Sequence, residues 1–514
     1  MTKDRELADT LAPQQRGAKY QNIVCDIVVV GGGASGLAAA SEAARLGAQT
    51  ILLEKAERLG GMMNWCVGTV TAAGTRHQRQ QGIEDTPEEH FEDLGHHAGE
   101  LAPRDNLELR RILVDHAAEM MDWLSGLGIV FTGPMPDLPH RKPRMLNVVP
   151  TAESFVYHMG RECRRSGVDI RLNTAAQRLH QDGTRVAGVD AIGPDGALHR
   201  FVARKAIILA TGDYSNSADL KRQLASPFLS NVDAVATTST GDGYRMAFAL
   251  GAQVINGDVV RGPILRFVPP DKRHWISRIP PSQQIARAIA WAMRVLPDRV
   301  LRPFLMKFLT TVLGPSPILF KEGAVLINKD GNRFANELGS PAQQVAVQSG
   351  KHAYIVFDHK LATQFSRWPY FVSTAPGVAY AYIDDYKRSR RDIFKKADSL
   401  GALAAEMGVP GDALTQAIDA YNNDSDRTRP PITDGPFYAL GPVRAYVVFT
   451  DGGLRIRSNF EVIGADNKAI PGLYAAGSVG QGGLLLEGHG HHLDWAFISG
   501  RLAAREAARQ TWAP

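Results

Sequence analysis

The architecture of the chain follows from one short segment, Asp26-Ile27-Val28-Val29-Val30-Gly31-Gly32-Gly33-Ala34-Ser35-Gly36. An alanine-rich segment, residues 37–46, comes next, and a second apolar run, Thr50-Ile51-Leu52-Leu53, ends at Glu54. Short apolar runs bounded by glycine are typical of buried parallel strands, and an alanine-rich segment of this length favours a helix. The segment therefore predicts a strand, a glycine turn, a helix and a second strand.

The glycines of this turn have the spacing of a dinucleotide-binding motif. Gly31, Gly33 and Gly36 match G-x-G-x-x-G. The first glycine permits the tight turn, the second lets the backbone approach a pyrophosphate, and the third lets the helix pack on the strand. Ala34 and Ser35 open the helix, whose free N–H groups and partial positive charge suit phosphates.

Glu54 follows the second strand at about the spacing, roughly 20 residues, at which such units place an acid. A carboxylate there suits the hydroxyl pair of a ribose and repels a 2′-phosphate. An ordinary glycine turn is the alternative interpretation, but two flanking strands and an acid favour a dinucleotide site. We expect Lys55, the next residue, to contact the cofactor as well.

Length and composition indicate a large protein of more than one domain. The chain has 514 residues, 44% of them hydrophobic, and a net charge of +5. This length and hydrophobic content are enough for two domains with a large core. Cys25, Cys66 and Cys163 form no C-x-x-C pair, so we expect no disulfide framework and a reducing, cytoplasmic location. Residues 1–22 lack the apolar core of a signal peptide and are predicted to form a disordered or surface tail.

Beyond Glu54 the sequence resembles a known flavoprotein superfamily, the one that contains fumarate reductase and the 3-ketosteroid dehydrogenases. The resemblance rests on the glycine turn, the acid and the segment Gly60-Gly61-Met62-Met63-Asn64. It implies FAD as the cofactor, with residues 60–64 beside the pyrophosphate and flavin. Relatives that tether FAD covalently use a histidine just past this Gly-Gly, whereas Met62 and Met63 stand here, so FAD is expected to be noncovalent.

Further segments resemble the remaining cofactor signatures of that superfamily. They are the loop 173–176, the end of the strand 205–213, the segment Thr240-Gly241-Asp242-Gly243, and the closing segment 470–478 with the helix that starts near residue 493. The cofactor-binding residues that the resemblance implies in these segments are Ala176, Thr211, Gly212, Asp242, Gly477, Ser478, His492 and Leu493. Ser478 replaces the usual glutamate of the superfamily.

The resemblance implies an α/β fold: a Rossmann-like FAD-binding domain of the glutathione-reductase type with an inserted α+β cap domain. We place the first part of the FAD-binding domain at residues 23–257, the cap domain at 258–440 and the second part of the FAD-binding domain at 441–514. The segment 321–337 is similar to the cap-domain hairpin of the superfamily.

A basic, amphipathic stretch lies in the predicted cap domain. Between Arg261 and Pro317 there are ten Lys or Arg and two Asp, a net charge of 10 − 2 = +8. Two short helices are predicted over 285–312, with apolar faces formed by Ile285, Ile289, Met293 and Leu296 and by Leu301, Phe304, Leu305, Phe308 and Val312. Three interpretations stay open: peripheral contact with an anionic membrane through Trp291 and these faces, a cap over an apolar substrate channel, or a solvated helix pair. Nucleic-acid binding is not expected, because aromatic residues that could stack on nucleobases are not interleaved with the Lys and Arg residues of this stretch.

The carboxylate-binding residues of fumarate reductases are missing. In those enzymes two Arg and two His hold a dicarboxylate, and one Arg donates the proton. The corresponding positions fall on or near Gly262, Pro341, Phe449 and Glu487. A pocket that has lost these cations is predicted to repel fumarate and succinate.

Candidate proton-transfer residues come from the segments near the predicted flavin site. They are Tyr446, Glu487, His489 and His491. Three histidines within residues 489–492 also suggest a metal, but no second group of ligands is visible in the sequence, so we predict no metal site.

These observations predict a flavin-dependent oxidoreductase that acts on a CH–CH bond next to a carbonyl group. A 3-ketosteroid-like or other alicyclic ketone dehydrogenase, with a small apolar substrate, is the favoured hypothesis. A fumarate-reductase-like reductase of an unsaturated acid is one alternative, and a flavoprotein subunit that exchanges electrons with a membrane partner is another. A flavin-binding protein with little turnover is the third. Each active form needs an electron acceptor or donor that the sequence does not identify.

Overall fold

The computed structural model describes residues 21–270, 279–375 and 379–512. The predicted tail lies outside these ranges except for Gln21 and Asn22, which already belong to the first strand. Within these ranges no helix is both long and apolar enough to cross a bilayer.

The helices and strands of the first part of the chain are β1 (Gln21–Val30), α1 (Ala34–Arg45), β2 (Thr50–Leu53), β3 (Thr69–Thr71), α2 (Arg76–Arg79), α3 (Pro87–Ala98), α4 (Leu107–Gly126), β4 (Val130–Met135), β5 (Met145–Val149), α5 (Glu153–Arg165), β6 (Asp169–Arg171), β7 (Ala175–Asp182), β8 (Arg185–Ile192), β9 (Leu198–Leu209), α6 (Ala218–Leu224), β10 (Asp233–Ala234), α7 (Asp242–Phe248) and β11 (Val254–Ile255). The predicted β1–turn–α1–β2 unit is confirmed.

The middle of the chain contains β12 (Val260–Arg261), β13 (Ile264–Phe267), α8 (Gln283–Val295), α9 (Asp298–Val312), α10 (Pro317–Lys321), β14 (Val325–Ile327), α11 (Pro341–Ala346), β15 (Ala353–Phe357), α12 (His359–Gln364), β16 (Ser373–Ala375), β17 (Ala379–Ala381), α13 (Ile383–Ser389), β18 (Phe394–Ala397), α14 (Leu400–Met407), α15 (Gly411–Asn423) and β19 (Phe437–Val447). The last part contains β20 (Phe449–Thr450), β21 (Gly453–Leu454), β22 (Glu461–Ile463), β23 (Ala469–Ala475) and α16 (His491–Arg509).

The main sheet has eight strands and is built around β1. Its order is β22-β23-β9-β1-β2-β6, and β8 and β7 continue from β9. The pairs of β1 with β2 and β9, of β2 with β6 and of β23 with β9 are parallel. The parallel strands therefore end at one edge of the sheet, where a doubly wound fold binds its ligand.

Helices α1 and α16 pack together on this sheet. Glu42 of α1 is buried and pairs with Arg45, Arg501 and Arg505. Burial opposes ionisation of Glu42, but the hydrogen bonds from Arg45 and Arg505 outweigh it and lower its pKa to about 2. The charge is thus paired, and the network ties the helix after the glycine turn to the helix that ends the chain.

A second sheet, of six strands, lies in the middle of the chain. Its order is β10-β19-β15-β14, and β13 and β18 also pair with β19. The first hydrophobic core draws its buried residues from 25–252 and 454–507, whereas the cores of this sheet draw theirs from 232–447. The predicted boundaries at 257 and 440 leave β10 and the end of β19 outside the cap domain, although both belong to its sheet.

Candidate active site

The glycine turn is held close to the neighbouring backbone. Gly31, with φ +108°, donates its N–H to the carbonyl of Leu53 at 2.8 Å. A Cβ on Gly36 would lie 1.8 Å from the Gly31 carbonyl oxygen, so only glycine permits this packing of α1. A Cβ on Gly33, by contrast, would meet no heavy atom within 4 Å among the described residues. The turn thus leaves open space beside Gly33.

Glu54 is buried at the end of β2 and orients the turn. Its carboxylate accepts hydrogen bonds from the N–H groups of Gly32 at 2.7 Å and Ala56 at 2.8 Å. Its neighbour Lys55 pairs with Asp242 at 2.7 Å and contacts the Thr240 hydroxyl. This ion pair joins the end of the first β–α–β unit to the predicted cofactor segment 240–243, since its two residues are 187 positions apart in the chain.

These segments surround a cavity of about 500 Å³. The predicted cofactor-binding residues in its wall are Gly31, Gly33, Ala34, Ser35, Glu54, Lys55, Gly61, Met62, Met63, Ala176, Thr211, Gly212, Asp242, Ser478, His492 and Leu493. The structure therefore brings together residues from every segment predicted to contact the cofactor.

Four predicted cofactor residues, Gly36, Gly60, Asn64 and Gly477, stand outside the wall. A Cβ on Gly60 would lie 2.6 Å from the Asn64 amide, and one on Gly477 would lie 2.5 Å from the Ser35 hydroxyl oxygen. The glycines at these positions, like Gly36, allow close packing outside the wall. This packing explains why they lack a side chain better than a direct cofactor contact does.

The cavity has the features that a dinucleotide needs. Helix α1 begins at the wall, no side chain of the described residues caps its N-terminus, and its first turn carries no acid, so its first N–H groups suit a phosphate. Gly212, like Gly33, leaves room for a close approach, because its Cβ would also meet nothing within 4 Å in the described ranges. The buried Thr211 hydroxyl has no hydrogen-bond partner among the described residues. The wall therefore fits FAD.

On the cap side the wall is apolar but contains one arginine. Ile264, Leu313 and Phe449 line it together with Arg266 of β13. Burial lowers the pKa of the Arg266 guanidinium. The four positions where the superfamily places its cations hold none, but a partly buried arginine stands four residues beyond Gly262 and lines the wall, where no superfamily motif pointed to it.

Tyr446 lies beside this arginine but not in the wall. In the antiparallel register of β13 and β19, Ile264 pairs with Tyr446, and Arg266 pairs with Arg444. Directly paired residues share a face of the sheet, so Tyr446 is on the face that carries Ile264 and Arg266. Burial raises the pKa of the Tyr446 phenol, and the positive charge of Arg444 opposes that rise.

Glu487 is held in an ion-pair network behind the wall. Arg261 contacts Asp451 at 2.8 Å and Glu487 at 2.7 Å, and His492 contacts the other oxygen of Asp451 at 2.8 Å. Burial alone would raise the pKa of Asp451, but His492 and Arg261 outweigh it and lower this pKa. Glu487 is thus engaged by Arg261 outside the wall, and its prediction as a proton-transfer residue is not supported by this position.

The two other histidines predicted for proton transfer face different surroundings. His489 lines the cavity, and its Nδ1 lies 3.0 Å from Asp137, a hydrogen bond that raises the pKa of His489. His491 is fully buried and outside the wall. Its ring contacts His90, 401 residues away in sequence, so the structure places it in a histidine cluster and not in the wall.

His491 also changes the expectation about metal ligands. The sequence shows no second group of ligands near 489–492, but the fold brings His90 and His140 to His491. Burial lowers the pKa values of all three, that of His140 to about 4. Sequence reasoning missed this cluster because α3 and the loop before β5 carry no ligand spacing of their own.

The fold and the cavity define a dinucleotide-binding flavoprotein. A family model described as "FAD binding domain" matches residues 26–263 and 296–485. The chain belongs to this family.

The chain is also similar to characterised oxidoreductases. It is 27% identical to the fumarate reductase (cytochrome) of Shewanella frigidimarina over 98% of this chain and 81% of that protein. It is 24% identical to the 3-oxosteroid 1-dehydrogenase of Mycolicibacterium smegmatis over 94% of this chain and 97% of that protein. A solved structure, the open conformation of a flavocytochrome c3 fumarate reductase, has the same fold, with a TM-score of 0.72 and 24% identity over 95% of this chain and 78% of that one. The predicted superfamily and cofactor are confirmed, and the protein is an FAD-dependent oxidoreductase.

Proposed function

We propose that this oxidoreductase acts on the CH–CH bond next to the carbonyl group of an apolar cyclic ketone. The observation that carries the proposal is the cap side of the cavity, where Ile264, Leu313 and Phe449 line the wall together with one partly buried guanidinium, that of Arg266. An apolar wall suits a ring system, and a single guanidinium in that wall suits a single carbonyl oxygen. The 3-oxosteroid 1-dehydrogenase relative is named for a substrate of this kind.

Arg266 polarises the substrate in this proposal. Its N–H groups donate to the carbonyl oxygen and stabilise the enolate that forms when the neighbouring carbon loses a proton. Partial burial of the guanidinium strengthens this interaction, because the effective dielectric constant there is lower than in water. Bound FAD supplies the acceptor for the hydride from the adjacent carbon.

Tyr446 and His489 are the two candidates for the proton transfer. Tyr446 shares a sheet face with Arg266, which lines the wall. His489 already lies in the wall and is oriented by Asp137. We retain both, and assign Glu487 and His491 to the structure around the site.

The second candidate function is reduction of an unsaturated monocarboxylic acid. It is favoured by the charge of Arg266, which suits a carboxylate as well as a carbonyl, and by the relative named as a fumarate reductase. Arg261, the nearby second arginine, is already paired with Asp451 and Glu487. Because only Arg266 of these two lines the cavity, a dicarboxylate such as fumarate or succinate is the poorer substrate.

Product analysis distinguishes the two candidates. We expect the enzyme, supplied with a steroid ketone or a substituted cyclohexanone and an artificial electron acceptor, to form a product lighter by two hydrogens, with the new double bond beside the carbonyl. Mass spectrometry and NMR identify it, and succinate is the matched control that should remain unchanged. Oxidation of succinate with no change in any ketone would contradict the assignment.

We further propose that helices α8 and α9 meet an anionic membrane surface, from which an apolar substrate or an electron partner reaches the enzyme. Trp291, Val295, Leu296 and Val300 are exposed at the end of α8 and the start of α9, and Arg287 and Arg294 are exposed near them. Exposed apolar side chains beside basic ones are typical of membrane-surface helices. The predicted face of α9 is only partly described, since the side chains of Phe304, Phe308 and Val312 lie outside the described set.

Replacing Trp291 tests this contact. We expect Trp291→Ala to weaken binding to vesicles that contain an anionic phospholipid, measured by co-sedimentation at low salt, because the indole inserts at the interface. Trp368 is similarly exposed, at 62% against 64% for Trp291, and belongs to neither α8 nor α9, so Trp368→Ala is the control for loss of an exposed indole. Equal vesicle binding by the wild type and both variants, or none by the wild type, argues against the membrane contact.

A further inference from the structure

A cluster of buried histidines lies outside the cavity described above. His90 belongs to α3, His140 to the loop between β4 and β5, and His491 is the first residue of α16. All three are at most 4% exposed. One ring nitrogen of each lies within 4.8 Å of those of the other two. His97 also belongs to α3 and lies two helical turns after His90. The centre of its ring is 4.4 Å from that of the His140 ring and 5.8 Å from that of the His491 ring.

The nearest pair already has the spacing of metal ligands. The Nε2 atoms of His90 and His491 are 3.3 Å apart. Two ligands of a tetrahedral ion bound at about 2.0–2.1 Å are separated by about 3.3 Å. The Nδ1 of His491 lies 2.6 Å from the Glu487 carbonyl oxygen and donates its proton there, which leaves Nε2 with a lone pair. A backbone carbonyl that fixes the tautomer in this way is the usual second partner of a metal-bound histidine.

The other two rings have unused nitrogens. The Nε2 atoms of His140 and His97 are buried and have no hydrogen-bond partner in the parts of the chain that the structure describes. The Nδ1 of His140 accepts a hydrogen bond from Arg144 at 3.0 Å and lies 3.8 Å from the Asp93 carboxylate. Metal binding at Nε2 would therefore move the ring proton to Nδ1, with Asp93 as the carboxylate that accepts from it.

The charges around the cluster are balanced. Arg144, the nearest fixed cation, pairs with both Asp85 and Asp93. Asp137 pairs with His489, next to the cluster in the chain. The carboxylates thus offset the positive charge that would otherwise repel an ion. Buried imidazoles with unused nitrogens are costly unless something binds them.

We propose that His90, His140 and His491, with His97 as the fourth ligand, bind a divalent transition-metal ion of the zinc class. Imidazole ligands suit zinc, copper and nickel, and a buried site with four protein ligands is typical of structural zinc. The ion would tie α3 and the loop before β5 to the first residue of α16. The next two residues of that helix, His492 and Leu493, line the cavity, so the ion would fix the start of α16 beside the cofactor. This inference does not depend on the substrate class proposed above.

Metal analysis of the FAD-loaded protein tests the site. After loading with Zn²⁺ and removal of excess metal, we expect about one zinc per chain for the wild type. His140→Gln should lower the zinc affinity by about 100-fold or more, because it removes a ligand. His96→Gln is the matched control, since His96 is an exposed neighbour on the same helix, and it should retain zinc.

Cobalt spectroscopy keeps the test independent of how the variants fold. In the wild-type protein loaded with Co²⁺ we expect d–d absorption of four-coordinate cobalt at wavelengths beyond the flavin bands. That absorption should disappear when Zn²⁺ displaces the cobalt. A wild-type protein that retains neither metal, or a His140→Gln variant that binds zinc as tightly as the wild type, overturns the proposal. Flavin absorbance, recorded in the same samples, separates loss of metal from loss of FAD.

Discussion

The Gly33→Val variant is expected to fold and to lose FAD completely. Gly33 has φ −80° and ψ −167°, an extended conformation that valine adopts without strain. Its added Cβ meets no heavy atom within 4 Å among the described residues, so the protein alone tolerates the side chain. The side chain does, however, project beside the N-terminus of α1, where the pyrophosphate must approach the backbone. The purified variant should therefore be colourless and have a far-UV circular dichroism spectrum like that of the wild type.

Gly126→Val is the matched control for this substitution. Gly126 is exposed at the end of α4, and its Cβ would also meet no heavy atom within 4 Å in the described ranges. It lies outside the cavity wall, so this variant should retain FAD at the wild-type stoichiometry. Full flavin content in Gly33→Val would show that the cofactor does not use this turn.

The Arg266→Met variant is expected to lower kcat/KM for a ketone substrate by about 10²–10³-fold, the loss typical of removing one donor to a developing oxyanion. Methionine keeps much of the length and the apolar stem of the arginine but none of its N–H groups. Most of the loss should appear in kcat, because the carbonyl oxygen gains negative charge mainly in the transition state. FAD content should stay unchanged, since the proposed role of Arg266 is toward the substrate.

Arg444→Met is the control for the loss of one positive charge and for any disturbance of the sheet. Arg444 pairs directly with Arg266 in the register of β13 and β19 but is outside the cavity wall. Its replacement should change kcat/KM only a few-fold, a magnitude typical of a charge that does not touch the substrate. Equal losses in the two variants would mean that Arg266 supports the sheet and does not contact the substrate.

The local part of the fold was predictable because its signals are local. The turn at Gly31–Gly36 and the acid at Glu54 lie within one β–α–β unit, so spacing and apolar periodicity are enough to find them. The later cofactor segments were found by resemblance, and the structure gathers them around one cavity. The strand predicted over residues 205–213 begins earlier and ends sooner, because β9 runs as one continuous strand from Leu198 to Leu209.

The missed residues depend on long-range pairing. Arg266 reaches the cavity because β13 pairs with β19, about 180 residues further along the chain, and its own neighbours carry no motif. Arg261 and Glu487 meet across 226 residues, and His90 and His491 meet across 401. Hydrophobic periodicity reports which face of an element is buried, but not which distant element covers it. The sequence alone therefore identified the cofactor and left the substrate side open.

The most direct test of the proposed function is anaerobic mixing in two series. The oxidised, FAD-loaded enzyme is mixed with a panel of steroid ketones and simple cyclohexanones, and the chemically reduced enzyme is mixed with small unsaturated acids. The absorbance of the flavin is followed after mixing, with no other electron acceptor present. We predict that a ketone bleaches the oxidised flavin and that fumarate does not reoxidise the reduced one. Reoxidation of the reduced flavin by the unsaturated acids alone, with no bleaching by any ketone, would contradict the ketone assignment and establish an unsaturated-acid reductase in its place.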